Sequence, residues 1–222
     1  MKEAVSIPNV KDRRILRIVS TDSINSFLLP DILKKYCKKN PDVCLEIRNR
    51  PMCDVFGLVE DGIFDVGIAT DIIKIRSNVN IEPICSEPLL CIAGSGAEYA
   101  DRITPDQLDL YREIRYMTVP TFNSWYNYWF PTGNPPYIFS DKLSIGGGFP
   151  LEPDNWTIAP NCVAQALHKR HNIKIIDIAS PPPPRIIYAV TQSKPETPEL
   201  KRFMSMFKKG ISEIPGFSPI EK

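Results

Sequence analysis

The segment from residue 16 to residue 69 alternates between strand-like and helix-like hydrophobic patterns, and this alternation limits the fold more than any other feature. Residues 16–20 and 65–69 are short apolar runs with the length of buried strands. Between them, residues 28–36 and 55–60 have the apolar spacing of helices, and residues 43–47 alternate like a half-buried strand. Strand, helix, strand, helix, strand at these lengths predicts an α/β fold with parallel strands joined by right-handed crossovers.

Composition places the chain among ordinary globular proteins. Its 222 residues carry a formal net charge of +1, so the overall charge gives no reason to expect nucleic acid or an anionic membrane as a direct partner. No window approaches about 18 uninterrupted apolar residues, which a membrane-spanning helix needs. The first fifteen residues lack the apolar core of a signal peptide, so we expect a short tether and a cytoplasmic protein.

Several short motifs occur in a fixed order along the first half of the chain. They are Ser20-Thr21, Leu28-Leu29-Pro30, Asn40-Pro41-Asp42-Val43, Glu60-Asp61-Gly62, Asp65-Val66-Gly67-Ile68 and Glu87-Pro88-Leu89-Leu90-Cys91-Ile92. In this order and spacing they resemble the effector-binding domain of LysR-type transcriptional regulators.

The resemblance implies a two-lobe fold like that of type 2 periplasmic binding proteins. Each lobe would be a mostly parallel sheet flanked by helices, and two crossover strands would join the lobes. Residues 1–15 would be the tether, residues 16–88 and 190–222 would form lobe I, and residues 89–189 would form lobe II.

Ligands of open α/β sheets bind outside the carboxyl ends of the strands, where several of these loops also run into helix N-termini that favour anions. These loops therefore supply the candidate residues, and we expect a small anionic or polar metabolite there. The predicted effector-binding residues are Thr21, Asp22, Ser23, Arg50, Met52, Thr70, Thr121, Phe122 and Pro160.

Five of these residues carry specific expectations. By the resemblance, Ser23 is a hydroxyl that touches the effector, although a plain helix N-cap explains the same residue. Met52 stands where the family often has a small polar residue, and Arg50 would restore a positive contact if its side chain turned inward. Thr121 and Phe122 open an aromatic segment, residues 121–137, which fits either a hydrophobic cap on a second sheet or a pocket wall.

The patterns of catalytic and metal sites are missing from the sequence. It contains no G-x-S-x-G elbow, no H-E-x-x-H and no framed Cys and His pair, and its two histidines are too few for a metal site of their own. Carboxylates near strand ends usually form turns or caps. We therefore predict no enzyme activity, no catalytic residues, no metal and no cofactor.

The sequence therefore favours the regulatory half of a LysR-type transcription factor that binds a small-molecule effector. By the resemblance, it would form an antiparallel homodimer through residues 28–39 and 43–48, and a tetramer in a full-length regulator. Since about fifteen residues precede the first strand, we expect contact with DNA only through a winged helix-turn-helix domain absent from this chain. The alternatives are a freestanding solute-binding protein, which would be a monomer, and a small-molecule enzyme.

Overall fold

Two larger β-sheets, a two-stranded sheet and their covering helices make up the computed structural model, which describes residues 14–72, 77–116, 120–131, 133, 135–142 and 154–220. The strands are β1 (Arg14–Ser20), β2 (Val43–Asn49), β3 (Val66–Ala69), β4 (Val79–Glu87), β5 (Leu89–Gly94), β6 (Arg102–Ile103), β7 (Ile114–Tyr116), β8 (Ile138–Ser140), β9 (Trp156–Pro160), β10 (Ile173–Ile178), β11 (Arg185–Gln192) and β12 (Ser218–Pro219). The helices are α1 (Leu29–Lys39), α2 (Met52–Glu60), α3 (Pro120–Trp129), α4 (Asn161–Arg170) and α5 (Pro198–Ser212). Most of the predicted tether, residues 1–13, lies outside the described residues.

The first sheet has the strand order β12-β4-β11-β3-β1-β2. Strand β1 runs parallel to both β2 and β3, which confirms the crossovers predicted from residues 16–69. Strand β11 is antiparallel to β3 and β4, because β4 carries the chain out of this sheet and β11 brings it back. The sheet is therefore mixed, and the expected parallel pairing holds for its β2-β1-β3 part.

The second sheet has the strand order β6-β10-β5-β9, and the β7-β8 pair lies next to it through a parallel bridge between Glu113 and Trp156. Strand β5 is antiparallel to β9 and to β10, so this sheet is also mixed. We refer to the first sheet with its helices as lobe I and to the second as lobe II. Strand β11 pairs with β4 from Arg185 onward, so the predicted boundary at residues 189/190 falls inside a strand of lobe I.

The polypeptide after β1 enters a helix with a π-helical segment, Ile24–Leu28, before it continues as α1. The buried face of α1 carries Leu29, Ile32 and Tyr36, in agreement with the predicted helical spacing. The helix ends at Lys39 and is capped by Asn40, whose side-chain amide donates to the Tyr36 carbonyl at 3.0 Å. Pro41 disfavours the helical conformation at the residue before it, which explains this end.

The main hydrophobic core extends across both lobes. It joins the α1 and α5 side of the first sheet to apolar residues of α4, including Val163, Ala164 and Leu167. A second core lies within lobe II around Trp156, and a third packs α2 against the first sheet. Helix α4 packs on the π-helical segment, so its N-terminus lies near the loop that follows β1.

None of the helices in the described ranges is both long and apolar enough to cross a membrane.

Candidate functional site

The carboxyl end of β1 meets both crossover strands and the start of α4 at the junction between the lobes. Ser23 follows β1, Glu87 is the last residue of β4, Arg185 is the first residue of β11, and Cys162 is the second residue of α4. The antiparallel register pairs Arg185 directly with Glu87. We call these four residues the junction cluster.

Hydrogen bonds connect the junction cluster into one network. The Arg185 Nε donates to Glu87 Oε2 at 2.7 Å, and Arg185 Nη2 lies 2.7 Å from the same oxygen. Arg185 Nη1 donates to Ser23 Oγ at 2.9 Å. The other carboxylate oxygen of Glu87 accepts from the backbone N–H of Cys162 at 2.7 Å. The network therefore links the helix that follows β1 in lobe I, both crossover strands and a helix of lobe II.

The junction cluster is buried, which strengthens its electrostatic interactions. Glu87 is 0% exposed and Arg185 is 7% exposed. Burial lowers the pKa of the Arg185 guanidinium, but the adjacent Glu87 carboxylate outweighs burial and raises that pKa above its ordinary value. Burial, together with the same carboxylate, raises the pKa of the Cys162 thiol well above its ordinary value. At neutral pH Arg185 is therefore charged, and the Cys162 thiol keeps its proton.

Thr21 lies between β1 and the junction cluster and has an unusual hydroxyl. Its Oγ1 is buried, and no hydrogen bond to it is found among the described residues. A buried hydroxyl without a partner costs free energy. The π-helical segment begins three residues later, and such segments are frequent at functional sites. Thr21 Oγ1 therefore has an unused capacity both to donate and to accept a hydrogen bond.

Ser23 is not the helix N-cap that one interpretation of the sequence suggested. Its backbone is already helical, with φ −62° and ψ −36°, and its side chain caps no backbone N–H. The hydroxyl instead accepts the hydrogen bond from Arg185. The helix already begins at Asp22, so Ser23 lies within its first turn and not at its cap.

The other candidate residues of lobe I surround the same edge of the first sheet. Asp22 accepts a hydrogen bond from Ser26 at 3.3 Å, and Thr70 is buried at the end of β3. Arg50 is exposed and donates to the neighbouring Asn49 carbonyl at 2.9 Å, so its side chain does not turn inward. Met52 begins α2, is half-buried, and packs against the third core.

The candidate residues of lobe II lie in different environments. Thr121 is exposed on α3, whereas Phe122 is 3% exposed and packs inside the second core. The aromatic segment thus begins with a helix that caps the second sheet through Phe122 and Tyr126, with Phe130 directly after it in the same core, which is the first of the two interpretations. Pro160 is buried at the end of β9, directly before α4, and therefore lies beside the junction cluster.

Sequence reasoning did not identify Glu87 and Arg185 as site residues. The available signal was one charge of each sign at the two points where the chain crosses between lobes, each bordering an apolar run. Asn25 was also missed. Its side-chain nitrogen donates to the carbonyls of Ser20 and Arg48 at 3.3 and 3.2 Å, and so it ties together the ends of β1 and β2.

Within the described part of the chain, no group of three or more His, Cys, Asp or Glu side chains could hold a metal ion. A groove also occurs on lobe II. Its lining includes Leu90, Asp101, Ile175, Asp177, Ile178 and Pro181.

Two α/β lobes joined by two crossover strands, with a polar cluster at their junction, define a domain like the type 2 periplasmic binding proteins. Residues 11–134 match the family model of the LysR substrate binding domain. The chain therefore belongs to the family of LysR substrate-binding domains. A comparison with curated protein sequences found no significant match.

Solved structures of LysR-family domains share this fold. The regulatory domain of MexT, a transcriptional activator in Pseudomonas aeruginosa, gives a TM-score of 0.74 at 15% identity, over 89% of this chain and 100% of that chain. The effector-binding domain of QuiR in complex with shikimate gives 0.67 at 15% identity, over 91% and 99%. The BenM effector-binding domain with its effector benzoate gives 0.66 at 15% identity, over 91% and 96%.

Proposed function

We propose that this chain is the ligand-sensing domain of a LysR-type transcription regulator and binds a small polar effector at the lobe junction. The observation that carries this proposal is the buried Thr21 hydroxyl without a partner, next to a network that joins both lobes. The family assignment supports the regulatory role, and the QuiR and BenM structures with their ligands support the binding of small molecules.

The proposed mechanism is a shift between lobe arrangements. A ligand that contacts Thr21 and Ser23 of lobe I together with the start of α4 favours the arrangement in which these elements are close. Because the junction cluster includes both crossover strands, the same ligand biases the angle between the lobes. The effector thereby changes how two subunits are arranged and how separate DNA-binding domains are positioned. The domain itself performs no chemistry in this scheme, and the regulator acts in the cytoplasm, where its DNA is.

The proposed partner in assembly is a second copy of the chain. Strand β2 is at the edge of the first sheet, and it presents Ile47 at 39% exposure. An edge strand with an exposed apolar residue readily associates with another chain. The proposed homodimer uses this edge together with α1, against lobe II of the partner.

The test is a thermal-shift screen of small polar metabolites on the wild-type chain and on Thr21→Val. A ligand at one hundred times its Kd adds about 2.7 kcal/mol of stability, which raises the Tm of a chain of this size by about 5–10 °C. Thr21→Val breaks no existing hydrogen bond among the described residues, so a lost shift reports lost ligand contact.

The matched control is Ser205→Ala, which also removes one hydroxyl, at an exposed position of α5 outside the candidate residues. We expect an effector to stabilise the wild type and the control equally and Thr21→Val much less. Equal shifts in all three proteins would place the ligand elsewhere and contradict the proposed site.

A further inference from the structure

We propose that the Glu87 carboxylate occupies the place at the N-terminus of α4 where a negatively charged ligand group would otherwise bind. The site at the lobe junction therefore selects uncharged polar ligands. The inference rests on the proposed ligand-sensing function, because it concerns the chemical class of the ligand that the same site takes.

The first line of support is the position of Glu87 at a helix N-terminus. Helix α4 has ten residues, and the unpaired N–H groups of its first turn favour a negative charge. Glu87 Oε1 accepts the Cys162 N–H at 2.7 Å, and the Glu87 side chain is 0% exposed. The carboxylate that this helix end favours thus comes from the protein itself.

The second line of support is the charge balance around Arg185. Among the described residues, Arg185 is the one Lys or Arg that is less than 9% exposed, and its charge is matched by Glu87. Arg50 is exposed and donates to its own strand. The carboxylate of a ligand would therefore be buried without a free counter-charge, which is costly.

The third line of support is the chemistry of the groups that remain. Thr21 Oγ1 has its whole hydrogen-bonding capacity available among the described residues. Ser23 Oγ accepts from Arg185 and still has its own proton to donate. Hydroxyl, amide or carbonyl groups of an uncharged ligand match two such hydroxyls. Benzoate and shikimate, the ligands in the BenM and QuiR structures, are carboxylates and belong to the class that this site disfavours.

Chemical rescue of Glu87→Ala tests the inference. The substitution leaves space beside Arg185 and the start of α4, which formate or acetate can fill. We expect the Tm of Glu87→Ala to fall below that of the wild type and to rise with formate or acetate in the millimolar range. Formamide, acetamide and sodium chloride at equal ionic strength should leave the Tm unchanged, and the wild type should respond to none of these additives.

Glu87→Gln keeps the shape of the side chain and covers the case in which Glu87→Ala fails to fold. Without the carboxylate, the positive charge of Arg185 has no counter-charge. We therefore expect benzoate and shikimate to raise the Tm of Glu87→Gln and to leave the Tm of the wild type unchanged. Absence of a carboxylate response in both Glu87 variants would overturn the inference.

A second result would also overturn it, namely a rise in wild-type Tm with benzoate or shikimate that Thr21→Val abolishes. That result would support the ligand-sensing function while refuting the selection of uncharged ligands. Failure of the ligand-sensing proposal looks different, since no small molecule of either class would then act through Thr21. The response of the Glu87 variants to carboxylates does not depend on that outcome.

Discussion

Arg185 and Glu87 form a buried ion pair in which each charge depends on the other. Removal of one partner of such a pair costs about 3–5 kcal/mol, because the remaining charge stays buried without compensation. Exposed pairs contribute about 0–1 kcal/mol. The exposed pair Arg102 and Asp177, 3.4 Å apart, provides the comparison within the same chain.

We therefore predict that Arg185→Met lowers the free energy of unfolding by about 3–5 kcal/mol, which leaves Glu87 buried without its cation. The measurement is urea denaturation followed by tryptophan fluorescence. Arg102→Met is the control and should change stability by less than about 1 kcal/mol. Equal effects of the two substitutions would show that the junction pair is solvated in solution.

The position of a residue at a strand end could be predicted from the sequence, whereas its long-range partner could not. Thr21 and Ser23 follow a recognisable strand, which is why they were candidates. Arg185 contacts Glu87 because β4 and β11 pair in one register, across 98 positions of the chain. No local pattern encodes that register, so the ion pair, and with it the charge of the site, became visible in the structure alone.

The end of helix α5 also depends on contacts with a residue that is distant in the sequence. Helices often end at a glycine, and α5 contains one at position 210. The helix instead continues to Ser212, and the backbone at Gly210 does not adopt positive φ. A Cβ at Gly210 would lie 2.9 Å from Ile32 Cγ1 on α1, so the glycine allows two helices to approach closely.

We predict that Gly210→Ala destabilises the chain by about 1–3 kcal/mol through overpacking against Ile32, despite the higher helix propensity of alanine. In an Ile32→Ala background the same substitution should become neutral or stabilising by up to about 1 kcal/mol. Denaturation of the four proteins measures both effects. The same destabilisation in both backgrounds would contradict the packing explanation.

Periodicity predicted the elements of lobe I better than those of lobe II. The pattern of residues 16–69 was confirmed element by element, because strand and helix alternate there with clear apolar faces. Helix α3 was missed because its aromatic residues suggested a cap or a pocket wall rather than a particular element. The spacing of Phe122, Tyr126 and Phe130 at four-residue intervals was the helical signal.

At the scale of the whole molecule, the family resemblance gave the two-lobe plan, and the structure added how the lobes meet. The main core runs from lobe I into α4, and the junction cluster adds polar contacts between the same two lobes. The two crossover strands, β4 and β11, run in opposite directions within the first sheet, which is therefore mixed. Neither property follows from periodicity, because both depend on which strands become neighbours.

The association of two copies of the chain concerns the whole molecule. We predict that the wild-type chain forms a dimer and that Ile47→Lys dissociates it. A charge on strand β2 would be buried at the proposed interface, whereas Ile63→Lys changes an isoleucine of 51% exposure that follows α2. Size-exclusion chromatography with light scattering should give dimers for the wild type and the control, and monomers for Ile47→Lys. A monomeric wild-type chain at micromolar concentration would instead favour a freestanding solute-binding protein.

The most direct test of the central claim is to map a stabilising ligand from the thermal-shift screen by NMR, through the backbone amide shifts of the isotope-labelled chain. Ligand binding at the lobe junction predicts that residues 21–25 of lobe I and residues 161–163 of lobe II shift together in one titration. Shifts confined to the groove near Ile175 and Pro181 would show that the ligand binds lobe II alone, and they would contradict the account.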